Sequence, residues 1–193
     1  MILIIDNYDS FVHNLARYVR EAGFETRVLR NDAGPAEEFL RLAPQAVIIS
    51  PGPNAPAQAG VSLEIIRQLP RTISLLGVCL GHQCLVEAAG GRTVRAVEPL
   101  HGEASRIRHD GAGIFSGVEN PTTAGRYHSL VSEIAPGSGL VPCAWSERGE
   151  LMAVRRTDAN WHGVQFHPES LLTPSGRAII ENFLAQIEQR AAA

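Results

Sequence analysis

The run Leu75-Leu76-Gly77-Val78-Cys79-Leu80-Gly81-His82-Gln83 decides the fold. Residues 73–78 read as an apolar strand buried on both faces, and residues 81–89 as a helix that stops at Gly90-Gly91. Between them stands Gly-x-Cys-x-Gly, the strand–turn–helix pattern of a nucleophile elbow with sulfur in place of the serine oxygen. So sharp a turn leaves no room for a Cβ two residues on either side of the nucleophile, which explains Gly77 and Gly81. It projects Cys79 at the carboxyl edge of a parallel sheet, where open α/β sheets bind ligands. The amino end of the following helix favours the thiolate, the form that attacks. Read alone, Cys79 also fits the small buried residue that most free cysteines are.

Outward from the elbow, two periods alternate along the first ninety residues. Residues 2–5 and 46–49 are short apolar runs, and residues 24–29 alternate as a strand. Ser10 reads as the cap of a helix with Phe11, Leu15, Tyr18, Val19 and Ala22 on one face and Gly23 as its stop. Pro35 opens a short helix, and another covers residues 62–69. Beyond residue 91 the texture changes. Short candidate strands lie near 93–97, 104–108, 140–145, 151–155 and 162–166, separated by turn residues, and a closing helix spans 174–190. The reading is one α/β domain over residues 1–193: a mostly parallel central sheet flanked by helices and extended by an antiparallel edge. A trailing alanine tract at 191–193 is the only low-complexity segment.

Composition limits the function. The chain has 193 residues, 45% hydrophobic and 19% charged, with a net charge of −3. A domain of this size buries roughly 70% of its unfolded surface and needs no disulfide or metal to fold. No basic field exists to attract nucleic acid or an anionic membrane surface. No apolar stretch reaches the ~18 residues of a membrane span, and the first residues do not resemble a secretion signal. Three cysteines without a CxxC pair speak against a disulfide scaffold or a structural zinc site. The expectation is a cytoplasmic protein without nucleic-acid or membrane partners.

A cysteine nucleophile wants a histidine oriented by a third group. Among seven histidines, His167 in Gly163-Val164-Gln165-Phe166-His167-Pro168-Glu169-Ser170 fits best. It follows an alternating strand, and Glu169 is near enough to hold its tautomer. His162 reads as a packing or edge residue, His13, His101 and His109 as surface, and His82 as support for the elbow. His128 lies in a mixed loop with no assigned role. No histidine spacing suggests a metal site. An acyl-transfer oxyanion needs donors, and in Pro51-Gly52-Pro53 only Gly52 has a backbone N–H. The N–H of Leu80 is the expected second donor.

Together with Ser50-Pro51-Gly52-Pro53, the elbow and the His167 segment resemble the class I (triad-type) glutamine amidotransferases. Asp6-Asn7-Tyr8-Asp9-Ser10-Phe11, His101-Gly102 and Arg126-Tyr127-His128-Ser129-Leu130 narrow the resemblance to the component II group of anthranilate and aminodeoxychorismate synthases. The likeness runs end to end. It implies glutamine hydrolysis through a γ-glutamyl thioester on Cys79, with His167 as base then acid and Glu169 orienting it. It implies that Gln83 and the backbone of Ser129 and Leu130 bind glutamine, and that ammonia passes to a chorismate-using synthase partner. No cofactor is implied for this chain, whereas the partner uses magnesium. Two departures are Asn54, where relatives often carry Gly or Cys, and Glu103, where they often carry lysine. A stand-alone cysteine-dependent γ-glutamyl hydrolase shares the elbow and is the alternative.

Overall fold

The computed structural model describes residues 1–191; Ala192 and Ala193, part of the expected alanine tract, lie outside the described residues. Nine strands form one sheet: β1 (Ile2–Asp6), β2 (Thr26–Arg30), β3 (Ala46–Ile49), β4 (Ser74–Val78), β5 (Arg92–His109), β6 (Thr122–Glu133), β7 (Leu140–Ser146), β8 (Leu151–Arg156) and β9 (Trp161–Val164). Their order is β2-β1-β3-β4-β9-β8-β7-β5-β6. The first five in that order are parallel, and the remaining pairs are antiparallel. The expected mixed sheet is thus present, with the last strand in sequence at its centre.

Five helices cover the sheet: α1 (Val12–Glu21), α2 (Ala36–Leu40), α3 (Ser62–Gln68), α4 (Leu80–Ala88) and α5 (Gly176–Ala191). The apolar run of β1 shows why both faces need cover. Ile2 and Ile4 enter one core with Leu15 of α1 and Phe183 of α5, whereas Leu3 and Ile5 enter another with Phe39 of α2, Ile65 of α3 and Leu85 of α4. All four apolar side chains of β1 are fully buried, so each contributes about 1.5–3 kcal/mol of transfer free energy.

Three expectations need correction. Helix α1 starts at Val12 without a side-chain cap, so Ser10 does not cap it, and Phe11 is half-exposed rather than in the core. The chain bends first: Tyr8 takes a φ of 61°, and the Asp9 N–H donates to Asp6 Oδ1. The two strands expected at 93–97 and 104–108 are one strand, β5, with register shifts between Arg95 and Leu100 and between His101 and Glu103. Those shifts accommodate Pro99 and Gly102, whose turn chemistry had suggested a break. Strand β6, where a loop was expected around His128, pairs with β5 along most of its length. Its inward residues include Arg126 and His128, so its alternation is invisible in hydrophobicity.

Candidate active site

Four parallel strands, β1, β3, β4 and β9, end at one edge, and each hands over to a segment of the site. After β4, Cys79 stands at φ 51° and ψ −102°, a strained position for a residue with a side chain. Its N–H donates to Val164 O at 2.8 Å and its carbonyl accepts from Gln83 N–H at 3.1 Å, which ties the turn to β9 and to α4. A Cβ on Gly77 would stand 2.8 Å from His82 N, and one on Gly81 would stand 2.8 Å from Ile49 Cβ. The glycines at ±2 are therefore steric requirements of this turn.

The segment after β9 supplies the base. His167 Nδ1 lies 2.5 Å from Glu169 Oε1, with both side chains buried. The Nδ1 proton is held by the carboxylate, which leaves Nε2 free to exchange a proton with the neighbouring Cys79 sulfur; Nε2 makes no aligned hydrogen bond of its own. Burial opposes a charge on the ring, yet the nearby Cys79 sulfur and the Glu169 carboxylate carry its pKa well above the ordinary histidine value. Thr173 Oγ donates to His167 O at 2.6 Å and accepts from Gly125 N–H, while His167 N–H donates to Gly125 O. Tyr127 packs edge-on against the imidazole, 4.8 Å between ring centres. Glu169 and Tyr127 thus fix the ring, and Thr173 and Gly125 fix the backbone that carries it.

Gly52, after β3, packs against Leu80: a Cβ there would lie 3.0 Å from Leu80 Cδ2 and 2.5 Å from the Asn7 carbonyl oxygen. Gly52 and Leu80, the residues whose N–H groups are the candidate oxyanion donors, are therefore neighbours across the cleft beside Cys79. Asn7, buried at the end of β1, anchors this loop. Its N–H donates to Ser50 Oγ and its amide to Ser50 O, each at 2.9 Å, and its Oδ1 accepts from Asn31 Nδ2 and Ser62 Oγ. Reading the sequence missed Asn7 in this role, although it stands within the Asp6-Asn7-Tyr8 motif.

Cavities open on two sides of Cys79. One, of about 210 Å³, is lined by Gly52, Leu80, Gln83, Ser129 and Leu130 together with Cys79, which brings every candidate glutamine-binding residue to one place. The other, of about 290 Å³, is bounded by Tyr8, Asp9, Phe11 and Tyr127 and also reaches Cys79 and His167. Burial, reinforced by the charge of Glu169, pushes the Asp9 carboxyl up to about 6. Gln165 is a second residue the sequence did not single out. Fully buried, it reaches Cys79 Sγ with Nε2 at 3.6 Å and accepts from the Gln83 amide at 3.2 Å.

The other histidines divide differently from expectation. His109 is buried rather than on the surface: its ring stacks on Phe115, and Nε2 lies 3.0 Å from Glu119 O. His82 is fully buried beneath the elbow, against Gly163, and burial lowers its pKa to about 4. His162 packs in the core side of β9 beside Asn160 and Gln186, as expected of a packing residue. Glu103 is exposed on β5. Among the described residues, no three His, Cys, Asp or Glu side chains converge as a metal site. No helix among them is long and apolar enough to cross a membrane.

A cysteine elbow, a histidine–carboxylate pair and a paired-donor loop on a doubly wound sheet define a thiol amidohydrolase of the glutamine amidotransferase type. The family model "Glutamine amidotransferase class-I" matches residues 3–187, and the chain belongs to that family. It is 49% identical over 188 residues to the aminodeoxychorismate synthase component 2 of Escherichia coli, covering 95% of this chain and 99% of that one. It is 47% identical to the anthranilate synthase component 2 of Pseudomonas aeruginosa, covering 96% of each chain. The Bacillus subtilis protein named aminodeoxychorismate/anthranilate synthase component 2 is also 47% identical, over 95% of each. In fold, the chain resembles a putative GMP synthase subunit from Thermoplasma acidophilum, with a TM-score of 0.88 at 23% identity over 99% of this chain and 95% of that one.

Proposed function

We propose that this chain hydrolyses glutamine to glutamate and ammonia and supplies the ammonia to a chorismate-using synthase partner, for anthranilate or aminodeoxychorismate. The observation that carries this reading is the meeting of Cys79, the His167–Glu169 pair and the Gln83, Ser129 and Leu130 cavity at one strained turn. The Cys79 thiolate attacks the γ-carboxamide carbon, and the oxyanion forms between the N–H groups of Gly52 and Leu80. The carbon–nitrogen bond breaks as imidazolium Nε2–H protonates the leaving nitrogen, giving ammonia and a γ-glutamyl thioester. Neutral His167 then takes a proton from water, the oxygen attacks the thioester carbon, and the carbon–sulfur bond breaks. Thiolate and imidazolium return, and the glutamic acid formed loses its proton to solvent. Throughout, Glu169 holds Nδ1–H and fixes the tautomer.

The relatives named as synthase components support delivery of the ammonia to a partner, and they weigh against a stand-alone γ-glutamyl hydrolase. In this reading any magnesium serves the partner's chorismate chemistry, since glutamine hydrolysis by these residues uses no cofactor. The net charge of −3 gives no support to a nucleic-acid or membrane partner, and three free thiols fit a reducing cytoplasm. The test is Cys79→Ser in the complex with the cognate synthase. Glutamine-dependent synthesis should vanish while ammonia-dependent synthesis persists. Retained glutamine-dependent turnover would refute the thioester.

A further inference from the structure

From the wall of the smaller cavity, which His128 helps to line, a buried polar chain that the hydrolytic steps do not use runs back into the protein. Arg126 is only 1% exposed, and its Nη2 donates to Glu150 Oε2 at 2.8 Å. Glu150 Oε1 accepts the N–H of Val97 at 2.8 Å, inside the first register shift of β5. On its other side, Arg126 Nε donates to His128 Nε2 at 3.0 Å. A guanidinium only donates, so His128 Nε2 must be the acceptor and the ring must carry its hydrogen on Nδ1. That N–H donates to Leu130 O at 3.0 Å. Leu130 O also accepts from the Gln83 amide at 3.3 Å.

Taking a guanidinium and a carboxylate out of water costs several kcal/mol per ion, and a packed apolar pair would usually stabilise a core as well. Stability is therefore a weak explanation for this pair, whereas geometry offers a strong one. We infer that Arg126, Glu150 and His128 are positioning residues for the substrate, holding the Leu130 carbonyl and thereby the Gln83 amide around the glutamine side of Cys79. The inference rests on the reading of this cavity as the glutamine site. His128 does its part in one protonation state, because burial and the Arg126 charge lower its pKa to about 3. Its donor to Leu130 is present throughout the neutral range.

The experiment compares the full chain, assembled with its cognate synthase, as wild type and as Arg126→Met/Glu150→Leu. Removing both charges together leaves no orphaned ion, and only the Val97 N–H and His128 Nε2 lose their partners, so the protein should stay folded with at most a modest fall in melting temperature. Losing the lock on one carbonyl should raise the glutamine KM about tenfold while kcat stays within about threefold. Inactivation by 6-diazo-5-oxo-L-norleucine, which must occupy the glutamine site, should slow by a similar factor. Alkylation of Cys79 by iodoacetamide, which needs no such site, should be unchanged. A folded double variant with wild-type KM and wild-type labelling would overturn the inference. So would an equal fall in both labelling rates, since the network would then serve the thiol rather than the substrate. If the double variant fails to fold, His128→Leu removes the Nδ1–H donor with the ion pair in place, and the same readings decide. Should the wild type itself resist the diazoketone at Cys79, the glutamine reading fails first and the inference falls with it.

Discussion

Replacing Gly52 by alanine tests whether the loop after β3 furnishes half of the oxyanion hole. The added Cβ would stand 2.5 Å from the Asn7 carbonyl oxygen and 2.6 Å from Asn7 Cβ, where ordinary contact begins at 3.4 Å. Asn7 cannot retreat easily, because Ser50, Asn31 and Ser62 hold it through four hydrogen bonds. The Gly52 segment must therefore give way, by about 1 Å, and a misplacement of about 1 Å in a catalytic group can lower a rate about a hundredfold. Loss of one oxyanion donor predicts a similar figure, about 10²–10³ in kcat or roughly 2.7–4 kcal/mol of transition-state stabilisation. The two routes agree, so kcat for glutamine hydrolysis should fall at least about a hundredfold. Steady-state ammonia release in the synthase complex measures this. Ammonia-dependent synthesis and iodoacetamide alkylation of Cys79 serve as controls, and both should stay near wild type. A folded Gly52→Ala variant that keeps a substantial share of the wild-type kcat would refute the assignment of Gly52 as a donor.

Glu169→Gln should lower kcat by about 10³–10⁴ with a much smaller change in KM, because the amide no longer enforces the Nδ1–H tautomer, as steady-state glutaminase kinetics will show. Cys84→Ala and Cys143→Ala should keep full glutaminase activity: burial pushes each thiol up to about 12, so mass analysis after brief alkylation should find the label on Cys79 alone. Asp9 has a folded pKa of about 6, raised above its unfolded value, so the native state prefers the protonated carboxyl and its penalty is complete only above that pH. Asp9→Asn should therefore stabilise the protein at pH 7.5 by about 1–2 kcal/mol after allowing for solvent screening, with the gain fading as pH falls from 6 towards 4; a pH series of urea melts decides.

Much of this protein was legible as sequence because the deciding interactions are local or periodic. Gly77 and Gly81 flank Cys79 because one sharp turn excludes their side chains, a constraint contained within a single short stretch of chain. His167 and Glu169 bond across two positions in the chain, so proximity in sequence was proximity in space. The runs at β1, β3 and β4 announced a sheet covered on both faces, since only burial on both sides makes every position apolar.

What the sequence left undecided is polar and long-range. Strand β6 carries Arg126 and His128 inward, so hydrophobic alternation could not reveal it. They can be buried only because Glu150, 24 residues from Arg126, arrives just ahead of β8 to meet the charge. His109 was read as a surface residue for the same reason, its partners being Glu119 O and the Phe115 ring. Asn7 became the anchor of the Gly52 loop through Ser50, 43 residues away, and Gln165 reached Gln83 across 82. A buried apolar side chain needs only to be away from water, which a pattern can foretell. A buried polar one needs a particular partner at hydrogen-bond distance, and only the folded chain supplies it.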